Sequence, residues 1–168
     1  DYELYKKDYL ALVDSLKAAE SLEGVKSAID SISELSASLE TMGTLASIRN
    51  SINTKDEFYD EEDKYWNEYS PFYQELSSTY YKSVMDSPYL EELKEFYPAT
   101  YFQYMQYELD AFDSSVINLL QKENQLSSDY QKLMASAEIE FDDKKLTLSQ
   151  FGPYLQSTDR AVRKNATD

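Results

Sequence analysis

Residues Leu126 to Asn165 read Leu-Ser-Ser-Asp-Tyr-Gln-Lys-Leu-Met-Ala-Ser-Ala-Glu-Ile-Glu-Phe-Asp-Asp-Lys-Lys-Leu-Thr-Leu-Ser-Gln-Phe-Gly-Pro-Tyr-Leu-Gln-Ser-Thr-Asp-Arg-Ala-Val-Arg-Lys-Asn. The stretch is decisive because its hydrophobic period changes. Up to Met134, the apolar residues Leu126, Tyr130, Leu133 and Met134 return every three or four positions, which is one face of a helix. From Ile139 they alternate instead. Ile139 and Phe141 point one way, Leu146 and Leu148 return on the same face, and Asp142-Asp143-Lys144 supplies the turn, so one β-hairpin is predicted over 137–149. Beyond it, Ser149 is placed to cap a short helix through Leu155, and Thr158 or Asp159 to cap another from Arg160. Residues 150–168 therefore read as short helices, the last expected to be truncated after barely two turns.

Toward the N-terminus every segment has helical spacing. Tyr2, Tyr5, Tyr9, Leu12, Val13, Leu16 and Ala19 mark a first helix, with Gly24 expected to break it. Val25, Ala28, Ile32, Leu35, Leu39, Met42 and Ala46 alternate steps of three and four, the seam along which one helix packs on another. Residues 1–52 thus read as a helical hairpin. Gly43 interrupts that seam at a cost of about 1 kcal/mol against alanine, which the close approach of a neighbouring helix would offset.

Residues 54–136 supply further helices. Thr54 with Glu57 has the form of a capping box ahead of an aromatic stripe containing Tyr65, Trp66, Tyr69, Tyr73 and Tyr80. Pro71 lies inside this stripe and predicts a kink or break near Asn67 to Ser70. Ser87-Pro88 is placed to start a short helix that Tyr97-Pro98 ends, another follows from about Thr100, and Asp113 can cap the next. The fold class is mainly α, a multi-helix lobe with one small β-hairpin, taken as a single unit over 1–168.

Composition narrows the partners. The chain carries 32 acidic and 16 basic side chains, a formal charge of -16, which repels phosphate backbones and anionic lipid surfaces. Neither nucleic acid nor membrane is expected as a partner, and no run approaches the roughly 18 apolar residues of a membrane span. With 16 tyrosines and 7 phenylalanines against 3 glycines and 4 prolines, apolar area is ample to offset the entropy of ordering. The acidity is that of a folded surface.

Chemistry is sparse. There is no histidine and no cysteine, so neither a Ser-His-Asp triad nor a His-Glu-x-x-His zinc helix can form here. The Asp60-Glu61-Glu62-Asp63 run reads as a solvated face, because successive helical residues diverge around the axis. No catalytic residue and no metal site are predicted. Tyr97, Tyr101, Tyr104 and Tyr107, at steps of four, three and three, would form a continuous strip on one helix. The tyrosines of the chain read first as hydroxyl-tipped core packing; this strip is too rich in hydroxyls to lie wholly buried, and it is the candidate for the alternative, a substrate-facing surface. Arg160 and Arg163 share a helix face and are candidates either for a structural role or for anchoring a substrate carboxylate.

The motifs Leu-Ser-Ser-Asp-Tyr, Ala-Ser-Ala-Glu-Ile-Glu-Phe-Asp, Leu-Ser-Gln-Phe-Gly-Pro and Asp-Arg-Ala-Val-Arg-Lys resemble the N-terminal domain of oligoendopeptidase F, a thimet-oligopeptidase-like zinc metallopeptidase family. The resemblance is looser before Leu126. It implies a helical lobe that covers the substrate channel of a peptidase acting on short peptides. It also implies that the zinc cofactor and its ligands belong to a catalytic domain elsewhere in the same polypeptide, and that the protein is cytoplasmic. The fragment itself would carry no cofactor and no catalytic group. The competing reading is an acidic helical protein-interaction module, against which the hairpin and the motifs after it argue.

Overall fold

The computed structural model describes residues 1–167, and the chain forms two compact units, Asp1–Asn124 and Gln125–Asp168. Among the described residues there are eight α-helices and one two-stranded antiparallel sheet. The fold is mainly α.

In the first unit, α1 (Tyr2–Lys17) packs on α2 (Leu22–Ile52), and both pack on α3 (Glu57–Met85). The break between α1 and α2 falls at residues 18–21, ahead of Gly24. Ser21, in extended conformation, accepts a hydrogen bond from the Gly24 N–H at 3.1 Å and so starts α2 with Gly24 inside its first turn. The seam is buried at Val25, Ala28, Ile32 and Ala46, whereas Met42, expected within it, is 62% exposed. Over Gly43 lies the ring of Trp66, 3.4 Å from where a methyl group would stand. The close approach is real, yet that distance is ordinary contact, and alanine would fit.

Helix α3 is capped by Asp56, whose carboxylate accepts from the N–H groups of Phe58 and Tyr59, and not by Thr54. It runs unbroken through Pro71. Proline has no N–H to give the carbonyl four residues back, so Asn67 O loses its helical donor. The missing donor comes from α6 (Ile117–Ala135): Asn124 Nδ2 donates to Asn67 O at 3.2 Å and reaches Ser70 Oγ at 3.0 Å. One turn earlier, Gln121 Nε2 donates to the adjacent carbonyl, Glu68 O, at 2.7 Å. The helix survives because side chains supply what its own backbone cannot.

Helix α4 (Leu90–Phe96) begins two residues beyond Pro88, because Ser87 closes a turn by accepting from the Tyr89 N–H. Tyr97, in extended conformation, ends it, and α5 (Ala99–Ala111) follows. Asp113 accepts from the Ser115 N–H and starts a 3₁₀ turn, Ser114–Val116, that leads into α6. The first unit's core joins Tyr9, Val13 and Leu16 of α1 to Ile29 and Ile32 of α2, Val84 of α3, Leu93 of α4 and Met105 of α5.

In the second unit, β1 (Ile139–Phe141) pairs with β2 (Lys144–Leu146) in the register Ile139 to Leu146 and Phe141 to Lys144. The loop is only Asp142-Asp143, both at positive φ, 52° and 57°, the backbone of a two-residue type I′ turn. Lys144 lies in the strand. Leu148 does not extend β2: it opens α7 (Leu148–Leu155) and is 39% exposed. Thr147 caps that helix in place of Ser149, since Thr147 Oγ1 accepts from the Gln150 N–H while Gln150 Oε1 accepts from the Thr147 N–H. This reciprocal pair satisfies two orphan donors where a lone serine would satisfy one. Phe141 packs on Phe151 and Tyr154 of α7, with ring centroids 5.4 and 5.0 Å away. Helix α8 (Arg160–Thr167) is capped by Asp159.

Two stability measurements check these assignments. Asn124→Ala should cost about 1–2 kcal/mol in urea unfolding, because it strands a partly buried carbonyl. In a Pro71→Ala background the same substitution should cost less, since an alanine at that position restores the missing N–H. Equal costs in both backgrounds would show that Asn124 does not serve that carbonyl. Phe141 is only partly buried, so Phe141→Ala should cost about 1–3 kcal/mol, below the ~3–5 of a fully enclosed ring. A loss under about half a kcal/mol would show that its contacts with α7 contribute nothing measurable.

Candidate functional site

The four tyrosines expected as one strip come from two elements. Tyr97 belongs to the extended link after α4, and only Tyr101, Tyr104 and Tyr107 lie on α5. Tyr97 still joins the group by stacking on Tyr101, with ring centroids 4.9 Å apart at 21°. Exposure rises along α5: Tyr101 is partly buried, Tyr104 is 54% exposed and Tyr107 69%. One end of the strip is packed and the other faces water.

Where they meet, α1, α2, α3 and α5 leave a cleft of about 250 Å³. Tyr9, Ile32, Tyr80 and Met105, all buried, border it, together with Tyr81, Tyr101, Tyr104, Ser36, Ser77 and Glu40. The hydroxyls of Tyr80 and Tyr101 are 2.6 Å apart. The Tyr81 ring meets that of Tyr104 edge-on at 6.0 Å. Ser77 Oγ donates to the Tyr73 carbonyl at 3.2 Å. Sequence spacing picked out Tyr101 and Tyr104 but missed Tyr9, Tyr81, Ser36, Ser77 and Glu40. Each lies on a different helix from α5, and only tertiary packing brings them together.

Electrostatics in the cleft favour neutral phenols. Burial is the main force raising the pKa of Tyr9, Tyr80 and Tyr81 well above the ordinary 10.0, with neighbouring tyrosines adding to it. Glu108 pushes Tyr81 and Tyr104 further in the same direction, Glu40 acts on Tyr104, and Asp30 on Tyr97 and Tyr101. All these hydroxyls remain protonated at neutral pH, as donors and acceptors without charge.

Other candidate groups are placed as follows. Arg163 is half-buried, and its guanidinium donates to the Ser157 carbonyl, holding α8 to the end of α7, while Arg160 is exposed. A larger hollow, about 480 Å³, lies by the C-terminal ends of α1 and α3 and is bordered by Lys17 and Lys82. Those lysines sit in the last turns, where they offset the helix dipoles. Among the described residues, no three carboxylates gather to hold a metal ion, and the sequence offers no histidine or cysteine. A zinc ion therefore does not fit the donor set of this chain. No helix of the described residues is long and apolar enough to cross a membrane.

This helical architecture corresponds to a known class, the N-terminal domain of a peptidase. Residues 1–112 match the model of the peptidase M3 N-terminal domain, and the chain belongs to that family. The matched part is the helical region before Leu126, where the motif resemblance is looser. Among solved structures the chain is similar to a protein from Bacillus anthracis strain Ames described as an oligoendopeptidase F, with 36% identity and a TM-score of 0.96. It is equally close in fold to a second protein so described, 34% identical, and to PZ peptidase A with an inhibitor, 32% identical, both at a TM-score of 0.96. Each match covers 99% of this chain, hairpin included, but only 30–31% of the larger protein. No curated protein sequence matches the chain.

The raised phenol pKa values carry a sign. Tyr9, Tyr80 and Tyr81 hold their protons in the fold to higher pH than when unfolded, so the stability they contribute is complete below about pH 10 and is lost as pH rises beyond it. Unfolding free energy measured against pH should be level from neutrality to about 10 and then fall. A decline already complete by about pH 9 would show that other groups govern alkaline stability.

Proposed function

We propose that this chain is the N-terminal lobe that covers the substrate channel of an oligoendopeptidase F-like zinc metallopeptidase acting on short peptides. The carrying observation is the fit of nearly the whole chain onto less than a third of such peptidases. The missing histidines and cysteines support the same division of labour, because zinc chemistry then falls to a catalytic domain of the same polypeptide. The lobe's contribution is to exclude water and limit which peptides enter, with the tyrosine face toward the peptide. Its uncharged hydroxyls and rings are suited to peptide groups. Of the two candidate arginines, Arg163 serves the fold through Ser157, which leaves Arg160 as the one able to meet a carboxylate. An acidic interaction module would require none of this, and the family match weighs against it.

The isolated chain should neither bind zinc stoichiometrically nor hydrolyse a quenched fluorescent peptide, whereas the complete polypeptide should do both. Tyr101→Ala and Tyr104→Ala in the complete protein should lower kcat/KM for short peptides several-fold, with zinc content unchanged. Metal-dependent turnover by the isolated chain, or kinetics and length selectivity untouched by both substitutions, would overturn the proposal.

A further inference from the structure

The cleft between α1, α2, α3 and α5 has a chemical bias that its tyrosines alone do not explain. Its lining holds one carboxylate, Glu40, and no lysine or arginine. The charge of Glu40 reaches both Tyr5 and Tyr104. Glu108, outside the lining, acts on Tyr81 and Tyr104 and adds a second negative charge to their surroundings. An anionic group would meet repulsion here with no cation in the lining to offset it, all the more in a chain of net charge -16. A metal ion is unsuited, because among the described residues no three carboxylates converge. What the site offers is a carboxylate, hydroxyl lone pairs and the aromatic rings of Tyr81, Tyr101 and Tyr104, a combination that attracts an organic cation. At about 250 Å³ it is smaller than the roughly 300–1,000 Å³ of a site for a whole small ligand. It suits one side chain or one chain terminus.

We infer that this cleft binds a primary ammonium group. Taken with the channel-covering reading, on which this identification rests, the group is carried by a peptide, as its N-terminal amine or a lysine side chain. The ammonium donates to Glu40 and to phenol oxygens while its methylene or Cα flank lies on the tyrosine rings. Neutral phenols are essential, since they accept hydrogen bonds without repelling the peptide carbonyls that follow the amine.

The test uses the whole chain and three probes: trialanine, N-acetyl-trialanine and N-acetyl-lysine amide. Ring signals of Tyr81, Tyr101 and Tyr104 are followed by NMR during each titration. Trialanine should shift them and its acetylated form should not, and the lysine derivative decides whether a side-chain ammonium serves equally well. Glu40→Gln should weaken binding at least about threefold, while Glu34→Gln, the same charge change elsewhere on α2, should not. Tyr104→Phe, which keeps the ring, separates the hydroxyl's share from the ring's. Equal shifts with acetylated and free trialanine, or none with either ammonium probe, would overturn the inference. If ammonium binding holds but Glu40→Gln leaves peptide hydrolysis by the complete polypeptide unchanged, the site stands and the channel-covering reading is the part that fails.

Discussion

One carbonyl organises the first unit. Pro71 deprives Asn67 O of its helical partner in the middle of a 29-residue helix, and an unmet carbonyl in a packed region costs as much as a hydrogen bond. Asn124 resolves the deficit from a different helix, with Gln121 on the neighbouring carbonyl. Because the two amides are one turn apart on α6, they lie on one face and fix both its rotation and its position along α3. A proline that would ordinarily break a helix has become the feature that specifies where another helix docks. Apolar packing alone could slide by a turn; two directional bonds to adjacent carbonyls cannot.

The tyrosines solve a different problem. A chain with twice as many acids as bases must bury enough surface to fold without drawing carboxylates into its interior. Tyrosine supplies a ring's worth of apolar area with a hydroxyl that needs only one partner. Here other hydroxyls serve as partners: Tyr80 with Tyr101, Tyr65 with Tyr73. Tyr2 packs its ring against Tyr69, Phe72 and Tyr73 in the same region of the bundle. Polar ends meet between the helices, and of the acids only Glu40 borders the cleft.

Legibility in the sequence followed the range of the interactions involved. The helices and hairpin could be read because period-3.6 and period-2 patterning are local. Caps were harder. Asp56 and Thr147 take the places expected for Thr54 and Ser149, a shift set by which side chain reaches a free N–H once the preceding loop is fixed. Pro71 was recognisable as a threat to α3, yet its repair by Asn124, far along the chain, has no local signature. The cleft was half legible: Tyr101 and Tyr104 stood out by spacing, but Glu40, Tyr9 and Ser77 look like ordinary helix residues until four helices converge.

Trp66, the only tryptophan, lies over Gly43 and against the rings of Tyr65 and Tyr73. Its emission is therefore a gauge first of one seam, where α2 meets α3, and the tyrosine rings beside it extend that report to α1, through Tyr2 and Tyr5 against Tyr73. The unit beginning at Gln125 has no indole of its own. A fluorescence trace of this chain thus reports the surroundings of Trp66, and the hairpin needs a probe of its own, such as the NMR ring signals of Tyr154, which packs against Phe141.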